Sequence, residues 1–127
     1  MAGNEYAQAA EFRAALRRFL RTSENAAREA GITPGQHLLL LQIAGCPEGT
    51  TTVSKLVDKL ALTQSAVTEL VQRAEQAGLV RRTASADDAR VAHLSLTAAG
   101  QQRLAEVHNA LGPERAKLRR VVDVPDD

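Results

Sequence analysis

Apolar side chains recur every three or four residues along most of this chain, but between residues 79 and 96 the repeat shortens to every second residue. Such a switch predicts helices interrupted by one hairpin, a mainly α fold with a small β-hairpin and about six helices. The first helix spans Glu5 to Ala30, with Phe12, Leu16, Phe19 and Leu20 on one side and Gly31 as its stop. Thr33-Pro34 opens a second helix, whose run Leu38 to Leu41 plus Ile43 is expected at the centre of the fold. After the loop Gly45 to Gly49, Thr51 or Thr52 caps a short helix through Leu60, with Val53, Leu56, Val57 and Leu60 facing inward.

Thr63 caps the next helix, Gln64 to Ala77, and Gly78 ends it. Val67, Leu70, Val71 and Ala74 face the core, so Gln64, Ser65, Thr68, Gln72 and Arg73 turn outward. The short helix, the turn Ala61-Leu62-Thr63 and this helix have the length and order of a helix-turn-helix. Leu79 to Ala84 and Val91 to Leu96 then form the hairpin, with Arg81 and Arg82 on one strand, a polar tip at Ser85 to Asp88, and Ala92, Leu94 and Leu96 on the buried side. His93 falls on the opposite side and is expected in solvent. Thr97 caps a fifth helix running to about Leu111, with Leu104, Val107 and Leu111 inward; Gly112-Pro113 breaks it, and Glu114 to Val122 is a short sixth helix before an acidic tail of Asp123, Asp126 and Asp127.

Composition narrows this picture without supplying a function. The 127 residues fit one domain, 1–127, that needs neither disulfides nor metal for its core. A formal net charge of +1 means that any affinity for an anionic partner must come from local placement of Arg and Lys. The stripe Arg13, Arg17 and Arg21 shares its helix with Glu11, Glu24 and Glu29 and reads as a solvated face. A single cysteine, Cys46, excludes an intrachain disulfide framework and a Cys-rich zinc site. His37, His93 and His108 are too scattered for a metal site, so no cofactor is expected. No leader or apolar stretch of ~18 residues is visible, and a cytoplasmic protein without membrane contact is expected. An enzyme lacks its parts: the sequence has no Gly-rich phosphate loop, nucleophile elbow or carboxylate pair in apolar surroundings.

Asp88 and Arg90, followed by Leu96, Thr97 and Gly100, match the Asp-x-Arg wing and the Leu-Thr-x-x-Gly lead-in of MarR-type winged-helix regulators, and Gly78-Leu79-Val80 fits the end of their recognition helix. From about Thr33 to Leu111 the chain resembles that family. The resemblance implies a winged helix-turn-helix whose sheet gains a short strand near Thr50 to Thr52. Residues 33–100 would be the DNA-binding core, and 4–30 with 101–122 the dimerisation helices, although family members usually carry a longer C-terminal helix. It further implies a dimeric repressor of double-stranded DNA, released by a small effector or by thiol oxidation.

Binding chemistry can be assigned on that frame. Gln64, Ser65, Thr68, Gln72 and Arg73 offer the donors and acceptors that base edges require in the major groove, with Ser65, Thr68 and Arg73 matching the family's recognition helix; Arg73 can instead pair with Glu69 or Glu75. Arg90 suits a narrow minor groove, and Asp88 would orient it or simply bond turn amides. Ser54, Lys55 and Arg82 are candidates for phosphate. A homodimer on a pseudo-palindrome, with half-sites about one helical turn (~10 bp) apart, is the expected assembly. An effector pocket between the first, second and fifth helices would be lined by Phe19, His37, Leu41 and Leu104, residues that plain core packing explains as well. The alternatives are a winged-helix module for protein partners, which would expose apolar residues on the outward face of Gln64 to Arg73, and a thiol-responsive regulator using Cys46, whose nearest charge in sequence is the acidic Glu48 rather than a basic group.

Overall fold

The computed structural model describes residues 2–88 and 90–122. In chain order the elements are α1 (Ala2–Glu29), α2 (Pro34–Ala44), a 3-10 turn at Pro47–Gly49, β1 (Thr50–Thr51), α3 (Val53–Leu60), α4 (Gln64–Gln76), β2 (Val80–Ala84), β3 (Ala92–Leu96), α5 (Ala98–Ala110) and α6 (Gly112–Val122). The strands form an antiparallel sheet in the order β1-β3-β2, with Thr51 opposite Leu94 and Val80 opposite Leu96. This is the winged helix-turn-helix expected from the sequence, including the short strand before α3. The acidic tail lies outside the described residues. Among those described, no helix is long and apolar enough to cross a membrane.

Threonine hydroxyls start four of the helices. Thr33 and Gln36 form a capping box on α2, while Thr52, Thr63 and Thr97 accept from the third residue inside α3, α4 and α5. Each satisfies an amide that the first helical turn leaves without a partner. α3 ends at Ala61, whose φ of 54° and ψ of 42° lie in the left-handed region and turn the chain sharply toward α4.

The core gathers Leu39, Leu40 and Ile43 of α2, Leu56 of α3, Val67 and Val71 of α4, Leu94 of β3 and Val107 of α5, all fully buried. Several expectations change here. Leu38 and Leu41 are 48 % and 41 % exposed, not central, because four consecutive leucines span all sides of a helix and only one side meets the core. Phe12 and Leu20 of α1 are likewise exposed, leaving apolar surface on both helices. His37 is buried. Its imidazole pKa is pushed down, first by burial and then by the charge of His108. α6 begins at Gly112, two residues earlier than expected, since Pro113 sits in the first turn, where its missing N–H breaks no helical bond. It packs along α1 of the same chain.

Candidate nucleic-acid interface

The buried stripe of α4 fixes what its other side presents. With Val67, Val71 and Ala74 in the core, Gln64, Ser65, Gln72 and Arg73 are exposed and Thr68 is half-buried, as expected. Gln64, Ser65, Thr68, Glu69 and Gln72 line a shallow groove along the helix. The surface is polar, short-chained and rich in groups that both donate and accept, the chemistry that reading base edges requires. Exposed apolar residues, which a protein-docking face would need, are missing from this set.

Ser54 and Lys55 lie exposed in the first turn of α3, where Lys55 N–H donates to Thr52 Oγ1. Two arginines are already partnered. Arg73 donates to Glu69 at 2.6 Å, realising one of the pairings the sequence allowed. Arg82 donates through Nε and Nη2 to Glu75 Oε1, at 3.2 and 2.7 Å, joining β2 to α4. That hydrogen bond raises the guanidinium pKa further. The Arg82 contact escaped the sequence reading because its partner lies seven residues away, across the Gly78 turn.

At the wing, Asp88 holds Arg90 in three bonds. Oδ1 accepts from the Arg90 backbone N–H at 3.0 Å and from Nε at 3.2 Å, and Oδ2 accepts from Nη2 at 3.4 Å. The two roles offered for Asp88, orienting the guanidinium and bonding a turn amide, are therefore both performed. Hydrogen bonds from the Arg90 side chain and then its backbone lower the Asp88 carboxyl pKa, which favours its ionised form. The Arg90 side chain is 91 % exposed.

A joint that the sequence did not disclose connects these elements. Thr97 Oγ1, besides capping α5, donates to the Gly78 carbonyl at 2.6 Å, and Thr97 N–H donates to the Leu79 carbonyl at 3.0 Å. Gly100 lies so close to Leu79 that a Cβ would overlap its carbonyl oxygen. The Leu-Thr-x-x-Gly motif was readable as a cap, but its contacts with the end of α4 are eighteen or more residues distant in sequence.

Behind the wing, a cleft of about 490 Å³ opens between α2, α5 and β3. Leu41, Leu96, Leu104 and Ala105 give it apolar walls, and Glu48, Gln101, His108 and Asn109 supply polar groups. Leu41 and Leu104 were expected there, whereas Phe19 and His37 are not among its lining residues. Cys46 is half-buried, its thiol donating to the Gln42 carbonyl.

Residues 30–91 match the model described as MarR family. The chain is 36 % identical over 77 residues to the HTH-type transcriptional repressor MdtR of Bacillus subtilis, a match covering 61 % of this chain and 48 % of that protein, so the chain spans about half the length of this curated relative. Among solved structures, the transcriptional regulator MOSR of M. tuberculosis, in complex with DNA, is 26 % identical with a TM-score of 0.66, covering 94 % of this chain and 84 % of that one. A mutant of MarR from E. coli complexed with operator DNA shares the fold at 19 % identity and a TM-score of 0.72, covering 94 % and 85 % of the two chains. The family match spans the helix-turn-helix and the first strand of the wing, and the fold is shared over nearly the full length, so the chain is similar to MarR-family proteins.

Proposed function

We propose that this protein is a sequence-specific, DNA-binding transcription repressor that acts as a homodimer. The observation that carries the reading is the pairing of a polar, outward α4 with an Asp88-held Arg90 at the tip of an adjoining wing. In this reading α4 enters the major groove, where Gln64, Ser65, Thr68, Gln72 and Arg73 meet base edges, and Arg90 enters the neighbouring minor groove. Ser54, Lys55 and Arg82 contact phosphate and set the register. Residues 33–100 form the DNA-binding part, and α1 with the α5–α6 segment pairs two chains. The exposed Phe12, Leu20, Leu38 and Leu41 favour a second copy, because it would remove them from water. The cleft between α2 and α5 is the seat of a small effector that releases DNA. Related proteins carry the terms of the reading: MdtR is a transcriptional repressor, and MOSR and MarR have been solved with DNA.

Selection of bound fragments from a random DNA pool tests it, followed by fluorescence-anisotropy titration of the winning duplex. The expected result is a palindromic site that Arg90→Ala binds at least ~5-fold more weakly, in keeping with about 1–3 kcal/mol for a lost specific contact. Weak, uniform binding with no enriched sequence would end the specific-regulator reading.

A further inference from the structure

We infer that Thr97 and Gly100 are positioning residues, which fasten the end of α4 and the root of the wing to the first turn of α5 so that helix and wing are held as one unit. The joint has three parts. The hydroxyl of Thr97 bridges two elements, donating to Gly78 O at 2.6 Å while accepting from Gly100 N–H at 3.1 Å. The Thr97 amide bonds Leu79 O at 3.0 Å, one step beyond the Val80–Leu96 pair, so the β2–β3 ladder continues into the corner where both helices meet it. Gly100, lacking a Cβ, lets the α5 backbone rest directly on the Leu79 carbonyl.

This corner is also where α4 reverses. Gly78 turns at a φ of +76°, and Leu79 N–H bonds back to Ala74 O at 2.9 Å. A rotation of α4 about its end must therefore break the Thr97 bonds or carry α5 with it. α5 is tied at a second point, where Arg103 Nη1 donates to Ala30 O at the end of α1. It thus bridges the long first helix to the outward-facing α4, and its residues Gln101, Leu104, Ala105 and His108 line the cleft one turn beyond the joint. What the joint holds follows from geometry alone; its consequence for DNA rests on the function proposed above.

The test uses the full chain in a Cys46→Ser background, with spin labels on cysteines at Gln72→Cys of α4 and Gln102→Cys of α5, both exposed positions. Pulsed electron resonance reads the α4–α5 distance distribution, and circular dichroism confirms that each variant is folded at the measuring temperature. Thr97→Ser, which keeps the hydroxyl, should retain the parent distribution, whereas Thr97→Val should broaden or displace it. An unchanged distribution in folded Thr97→Val overturns the inference. A second arm, on unlabelled protein, compares affinity for the selected duplex with affinity for a scrambled one. Thr97→Val should lower that ratio at least ten-fold and Thr97→Ser should not; an equal loss on both duplexes marks Thr97 as a stabilising cap only and also overturns the inference. A parent protein without sequence preference would defeat the proposed function, while the distance measurement still decides the joint.

Discussion

Among single residues, His37 makes the clearest demand on solution conditions. Buried on α2, it has its pKa lowered by burial and by His108 on α5, which in turn accepts from Arg115 of α6 at its backbone carbonyl. Below its ordinary value of 6.5 the unfolded chain takes up a proton that the folded imidazole refuses. Stability is therefore full above that pH and declines as the pH falls through 6.5 toward the lower folded value. Thermal unfolding should show a lower midpoint at pH 5 than at pH 7, and His37→Gln should lessen the difference; an equal drop in the variant would assign the effect to other groups. The sequence showed three scattered histidines and gave no sign that two of them approach each other, because their nearness depends on how α2 packs against α5.

At the level of elements, local chemistry was legible wherever it was written in consecutive residues. Thr33, Thr63, Gly78 and Thr97 mark helix ends by their own hydrogen bonds and backbone geometry, so the bounds of α2, α4 and α5 followed closely. Outward positions on α4 were legible for the same reason: one buried stripe fixes the opposite face. What failed was the choice of face in α2, where Leu38 to Leu41 are equally apolar and only packing selects Leu39 and Leu40. Pairings across a turn, such as Arg82 with Glu75, were equally hidden. The α4 cap gives a direct test of the local account. Thr63→Ala removes the acceptor for Ala66 N–H and should cost about 0.5–2 kcal/mol in denaturant unfolding. No measurable change would mean that packing alone holds the start of α4.

For the whole molecule, the question is what covers the apolar surface left on α1 and α2. α6 already packs on α1 within the chain, yet Phe12 and Leu20 remain 42 % and 47 % exposed. Sedimentation at micromolar concentration should find a dimer. Phe12→Glu, at a position that contributes little to the core of one chain, should yield a folded monomer with weakened DNA binding. A wild-type monomer, free and on DNA, would remove the two-fold model and leave the surface to another partner.

The arginines proposed to meet DNA are not free cations. Arg73, Arg82 and Arg90 each hold a carboxylate, from Glu69, Glu75 and Asp88 respectively. The protein thus carries its own counterions at this surface. On binding, each arginine would exchange an internal partner for phosphate or base, and the displaced carboxylate would be left beside the anionic duplex. Fewer dissolved ions are then set free than the number of basic contacts implies, so the slope of log affinity against log salt should be shallower than about 0.9 per phosphate contact. Glu75→Gln should steepen that slope and raise affinity for any duplex, matched or not, whereas a slope unaltered by the substitution would show that Arg82 makes no phosphate contact. Selectivity would be the gain from this arrangement: only a sequence whose contacts outweigh three existing ion pairs can open all three.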